Sequence, residues 1–319
     1  MQALPRDSTR HLGELLRGMK QIHTDTGELD SLSPPHERAL GRALGLVQPG
    51  TPDGLIPWAA RDAAAQRHDV GDTAWAWVTP CHWAMGREHA TLTDPAALAL
   101  REDESRALLA AMQPYFETDG ITLHYLAPER WLAEGEPFRA LPTASLDRVL
   151  GRNVDPWLPN AGSAHRHTPE AHDVKSAAAK LMRRLQNEMQ MLLYTHALND
   201  ERAARRQLPV NSFWLSGTGA LPSPPSFPAL GANAQVRVPR GLAQAAFTDD
   251  WAAYAQAWTA LDTGDVAGLL RRQRMGESVR LTLCGERNAQ TYESSRPGLL
   301  ARISSLVNPT PPVEVLKQL

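Results

Sequence analysis

Cysteine is almost missing from this 319-residue chain. The only two, Cys81 and Cys284, stand far apart and match no CxxC or other metal spacing, so they read as free thiols of a reducing compartment. Charge of one sign is also lacking. A formal net charge of -2 removes the broad electrostatic grip that nucleic-acid binding needs. Long apolar runs are absent too: no stretch reaches the roughly 20 residues of a bilayer span, and the opening MQALPRDSTRHLGELLRGMK has no apolar h-region. The expectation is a soluble cytoplasmic protein with no nucleic-acid or membrane partner. No internal repeat is visible.

What is present is enough for one large or two ordinary domains, each with a core. Apolar spacing predicts short helices over His11–Lys20 and Pro35–Leu46, the second closed by Pro49-Gly50. TAWAWVT at 73–79 alternates as a strand, Gly86-Arg87 turns the chain, and Glu88–Leu92 returns. Asp94 and Pro95 start a helix, and Ile121–Leu126 is a further strand. Glu134–Pro169 reads as a loop-rich linker. A long helix from Val174 to His196 has Leu181, Leu185, Met189 and Leu192 on one face, and its Met-rich end reads as core. Later come a helix over Asp250–Leu261 with a core stripe of Trp251, Tyr254, Trp258 and Leu261, a strand over Ser278–Cys284, and a last helix over Pro297–Val307. The expected fold is a layered α/β one: a mixed sheet with flanking helices plus a smaller α+β subdomain. The expected divisions are a helical segment over 1–70 packing on the core, an α+β subdomain over 71–133, a linker over 134–173, and an α/β core over 174–319.

Several clusters invite chemistry. Cys81 beside His82 suggests a nucleophile and base, but neighbours in a strand point to opposite faces, which opposes a direct dyad; His82 alone could still line a pocket. His165, His167 and His172 could gather a metal, but their proline-containing loop offers no carboxylate at a known spacing, and a solvated loop is the plainer reading. No metal set is therefore assigned. The densest run goes from Gln190 to Phe227. If its helix continues, Arg202 and Arg206 fall four residues apart on one face and could hold a phosphate or carboxylate; the alternative is a solvated helix end complementing the dipole. A strand, Val210–Leu215, leads to Ser216-Gly217-Thr218-Gly219, whose glycines would let backbone N–H groups approach an oxyanion, or would simply make a tight turn.

The order His196, Asn199, Arg202, Asn211, Trp214, Gly217, Gly219, with Pro222 and Phe227 beyond, resembles the archaeal-type cofactor-independent phosphoglycerate mutases, as does Gly71-Asp72-Thr73-Ala74 upstream. The chain is more similar still to the bacterial RpfE-type regulatory family. That likeness rests on Leu15–Met19, Asp53–Ala60, Thr79–Trp83, Ser145–Arg148, Arg184–Tyr194 and the NSFWLSGTG run. The resemblance implies a reduced phosphoglycerate mutase or alkaline phosphatase-like fold. It does not carry the mutases' two-metal machinery: their opening Asp-Gly strand and late DxxGH-type segment have no counterpart, and Asp53-Gly54 sits between prolines in a different context. The resemblance therefore implies a pseudoenzyme without cofactor, regulatory or small-anion-binding. Its expected ligand residues are His196, Asn199, Arg202, Arg206, Asn211, Ser216, Gly217, Thr218 and Gly219, with His82 and Arg148 as further pocket residues. The alternatives are a mutase-like or metal-free enzyme on a phosphorylated metabolite, with His82 or His196 as acid or base, and a protein–protein adaptor with a vestigial pocket.

Overall fold

A computed structural model describes residues 9–159, 169–222, 236–294 and 312–319, with the backbone alone for 169–176. In chain order they form α1 (Arg10–Arg17), β1 (Met19–Asp25), α2 (Pro35–Ala43), α3 (Trp58–Ala65), β2 (Trp75–Cys81), β3 (Trp83–Met85), β4 (Ala90–Leu92), α4 (Glu102–Glu117), β5 (Thr122–Ala127) and β6 (Arg130–Glu134). Next come α5 (Leu146–Val149), α6 (Pro169–Tyr194), α7 (Ala197–Ala204), β7 (Ser212–Gly219), α8 (Gly241–Phe247), α9 (Trp251–Leu261), α10 (Ala267–Arg274), β8 (Arg280–Cys284), β9 (Ala289–Ser294) and α11 (Pro312–Lys317). The fold is mixed α/β, with antiparallel sheets and flanking helices. It divides into two compact units, one of residues 1–29, 35–39 and 232–319, the other of 30–34 and 40–231.

The larger unit is built on a four-stranded sheet in the order β5-β6-β2-β7. Alternation along β2 divides its side chains between two faces. Ala76 and Val78 join Trp131, Ala133, Phe213 and Leu215 in a core covered by α4 and α6. Trp75 and Trp77 face the other way, against Ala59, Ala60 and Ala63 of α3. On the first face α6 lays down Ala178, Met182, Leu185, Met189 and Leu193, all buried at spacings of three and four. Leu181 and Leu192, expected on the central stripe, flank it. Phe116 of α4 meets Phe213 edge-on, ring centres 5.5 Å apart, which adds about 1 kcal/mol to the burial itself. The indole of Trp131, fully buried, donates to Ser105 Oγ at 2.8 Å.

Because β2 pairs with β7 from Trp75↔Gly219 to Cys81↔Ser212, the expected boundary between a 71–133 subdomain and a 174–319 core does not exist: both contribute to one sheet. The sheet also takes in β6, within the expected subdomain, which the sequence pattern does not announce. The returning strand after Gly86-Arg87 pairs with β3 as a separate small hairpin.

In the smaller unit, β1 pairs with β9 and β9 with β8, so the first seventy residues are not simply helical. Leu12 and Leu15 of α1 pack with Trp258, Val266 and Leu270. Asp250 is the N-cap of α9, accepting from Ala253 N, and Trp251 is half exposed and lies outside that core. A π-helical turn, Asp262–Val266, joins α9 to α10, and the buried Asp262 carboxylate accepts from His11 N, Leu12 N and His11 Nδ1 at 2.9–3.1 Å. The expected helix over 297–307 and the loop histidines His165 and His167 lie outside the described residues, as does the side chain of His172.

Candidate functional site

The run from His196 to Gly219 is a unit, held together from within. His196 is the N-cap of α7, its Nδ1 accepting from Leu198 N. Asn199 is 8% exposed and uses its whole amide: Nδ2 donates to Leu193 O and Val210 O at 2.8 Å, and Oδ1 accepts from Val210 N at 2.9 Å. It thereby fastens the α6–α7 corner to the start of β7. Asn211 does the same toward Trp83, exchanging two bonds with its backbone at 2.8 and 3.0 Å.

Arg202 has no exposed surface. Its Nε donates to Leu208 O at 2.8 Å, Nη1 to Glu104 Oε2 at 2.8 Å and Nη2 to Leu98 O at 2.5 Å. Glu104, equally buried, also accepts from Arg205 and from Arg101 N, closing the α4 N-terminus. The shared anion clamp of Arg202 and Arg206 is therefore corrected. The helix stops at Ala204, Arg206 takes a left-handed φ of 58°, and Gln207 N bonds back to Arg202 O, so the two guanidinium groups do not share a face.

The Ser216–Gly219 segment is strand, not a loop: β7 runs through it with an irregularity opposite Trp75 and Trp77. Ser216 is buried, and Thr218 is fully buried, its Oγ1 standing 2.7 Å from Leu141 O, 3.2 Å from Gly54 O and 3.0 Å from Thr143 Oγ1. Gly217 has φ 63°, and a Cβ there would stand 2.8 Å from Trp77 Cε3, so the glycine answers to sheet packing. His82 Nδ1 meets Pro209 O at 2.9 Å, and Arg148 is buried at 3%. Burial pushes the Cys81 thiol up, which leaves it a poor nucleophile. Asp53 accepts from Leu32 N and Ser33 N and acts as a loop cap.

Polar groups that remain open to solvent gather on the α3 face of the same sheet, where neither motif nor periodicity pointed. Trp77 Nε1 donates to Asp62 Oδ2 at 3.1 Å, and the Arg130 guanidinium lies over the Trp77 ring at 4.5 Å. Burial raises the Asp62 carboxyl above its ordinary value, opposed by Arg130, Arg61 and the Trp77 N–H. One row along, His124 Nε2 stands 3.2 Å from Glu134 Oε2, and His68, Trp75 and His124 form a ring cluster with centres 4.7–5.5 Å apart. Glu134 also lines an open cavity of about 440 Å³ with Asp72, Thr73, Glu136 and Arg139. Sequence spacing hides this site because its members come from α3, the loop after it and three strands. Only the fold brings them together.

A comparison with protein-family models finds no match, and a comparison with curated proteins finds none. Among solved structures, the chain is similar to a cofactor-independent phosphoglycerate mutase from Thermoplasma acidophilum, with 14% identity, 84% of this chain and 80% of that one covered, and a TM-score of 0.37. It is also similar to the PH0037 protein from Pyrococcus horikoshii, with 12% identity, 90% and 80% covered, and a TM-score of 0.41.

Proposed function

We propose that this chain is a small-anion-binding regulatory protein that does not itself transfer phosphoryl groups. The observation that carries the reading is the withdrawal of Arg202, whose guanidinium is wholly buried and bonded to Glu104 and to two backbone carbonyls. Phosphoryl transfer works by positioning and charge stabilisation, so its cations must be free to meet substrate. In the run that resembles the mutase pattern, the polar side chains are committed to the fold. The two acid–base candidates are engaged as well, His82 with Pro209 O and His196 with Leu198 N. The resemblance of the quoted motifs to the RpfE-type regulatory family is in keeping with a regulatory role.

The anion is assigned to the α3 face, where Arg61 and Arg130 are exposed and both act on Asp62 by charge. A guanidinium already stacked on an indole is partly ordered, so less freedom is lost when it grips a carboxylate or phosphate. Thermal unfolding in the presence of 3-phosphoglycerate, inorganic phosphate and citrate tests this. A rise in Tm that Arg130→Ala abolishes and Arg206→Ala leaves intact is the expected result. Manganese-dependent interconversion of phosphoglycerates would overturn the reading. A flat response to every anion would replace it with the adaptor.

A further inference from the structure

We infer that His68, His124 and Glu134 form a binding site for a divalent transition-metal ion of the zinc class. Imidazole nitrogen and a single carboxylate are borderline donors suited to zinc, nickel or cobalt, and no thiolate is needed. Two of the three donors already stand at the spacing of a shared ion, with the third ring beside them. Ligands bonded at about 2.1 Å to one tetrahedral ion stand roughly 3.4 Å from each other, and two imidazoles sharing it have ring centres roughly 5 Å apart. His124 Nε2 and Glu134 Oε2 are separated by 3.2 Å, and the rings of His68 and His124 by 4.7 Å.

The sheet fixes two of the three donors. Since Thr122 pairs with Glu134 and His124 with Leu132, His124 and Glu134 are diagonal neighbours on one face, at a distance set by the backbone. Trp75, 1% exposed, closes one side against both imidazoles. The other side is open: His124 and Glu134 keep 27% and 35% of their side-chain surface, so a hydrated ion can enter and retain water in its remaining positions. His68 is the adjustable donor. It follows α3 just after Arg67, whose φ is 64°, and its backbone N–H bonds Ala63 O. The ring nitrogens of His68 do not yet lie within 4.8 Å of both other donors. A half-turn about χ2 exchanges nitrogen and carbon positions while filling the same space, and His68 must turn in this way, with its loop following, before a third bond can form. A plain ion pair of His124 with Glu134, with His68 merely packed beside it, is the competing account.

The site is independent of the anion reading, and its test does not use an anion. Full-length, untagged, chelator-stripped protein is titrated with Zn²⁺ by calorimetry and with Co²⁺ by visible absorption. Expected are one ion per chain, cobalt bands of a low-coordinate nitrogen and oxygen site, and affinity weakened about tenfold or more in His68→Ala, His124→Ala and Glu134→Gln. His89→Ala, in the exposed β3–β4 hairpin, should bind as the parent does. Circular dichroism checks that each variant folds. Should His124→Ala fail to fold, His68→Ala decides alone, because its ring is carried by a loop. Unchanged affinity in His68→Ala, no saturable binding, or binding abolished by Cys284→Ser would each overturn the inference.

Discussion

Glu104 and Arg202 at the contact of α4 with α7, and Glu134 and His124 on the α3 face, are both pairings of a carboxylate with a basic nitrogen at about 3 Å. They differ in what surrounds them. The first pair has at most 1% of its side-chain surface exposed, and backbone carbonyls, the Arg101 amide and the Arg205 guanidinium engage its other donors and acceptors. About a third of the second pair is open, and it borders a cavity. A charge pair that the protein satisfies completely holds elements in register, whereas one left partly in water keeps the capacity to exchange partners. Residue type alone would have assigned the roles the other way round.

The sharpest way to break this contrast is Glu104→Ala. It leaves Arg202 buried without its counter-charge and should cost about 3–5 kcal/mol in denaturant unfolding; a loss no greater than that of an ordinary surface substitution would mean that the pair is not structural. Asn199→Ala comes next. Removing one side chain that bonds Val210 on both N and O should cost about 2–3 kcal/mol, again read from denaturant midpoints. Arg206→Gly should run the other way, relieving a left-handed non-glycine residue and adding about 1 kcal/mol. If it destabilises instead, Arg206 has a role that its exposed position does not disclose.

The smallest effect belongs to Asp62→Asn, and its sign comes from the raised carboxyl. A folded value above the ordinary 3.8 means that stability from the protonated group is complete below 3.8 and is lost as pH rises through the folded value. Above the folded value the native chain carries a desolvated carboxylate, which the neutral amide of the variant replaces. Melting across pH should show the variant at least as stable as the parent at pH 7, with the advantage gone below 3.8. An advantage that grows on acidification would contradict the burial of Asp62.

Much of the fold could be read from local pattern. The alternation in TAWAWVT marked β2 and the periodic apolar residues after Val174 marked α6, whereas Asp94 caps only a short 3-10 turn over Pro95–Leu98 and α4 starts afresh at Glu102. Long-range pairing was not legible, because nothing in Met19–Asp25 announces that its partner is Ala289–Ser294, or in Trp75–Cys81 that its partner is Ser212–Gly219. The His196–Gly219 run stood out for a related reason. Asn, Arg, Thr and Gly are chosen for ligand sites and for buried corners by the same property, a fixed hydrogen-bonding geometry, and sequence does not say whether the partner is a solute or the backbone. The α3-face cluster was invisible because each of its residues is ordinary in its own segment.

The π-helical turn between α9 and α10 makes that stretch of chain intolerant of changes in length. An extra residue wound into one turn sets the phase at which α10 leaves α9, so that Val266 and Leu270 point inward with Trp258 while Asp262 reaches the amides that open α1. Removing a single residue there would turn everything downstream by about 100° around the helix axis. Substitutions at Thr263 or Gly264 are therefore far easier to absorb than a deletion, and the segment acts as a spacer whose count matters more than its composition.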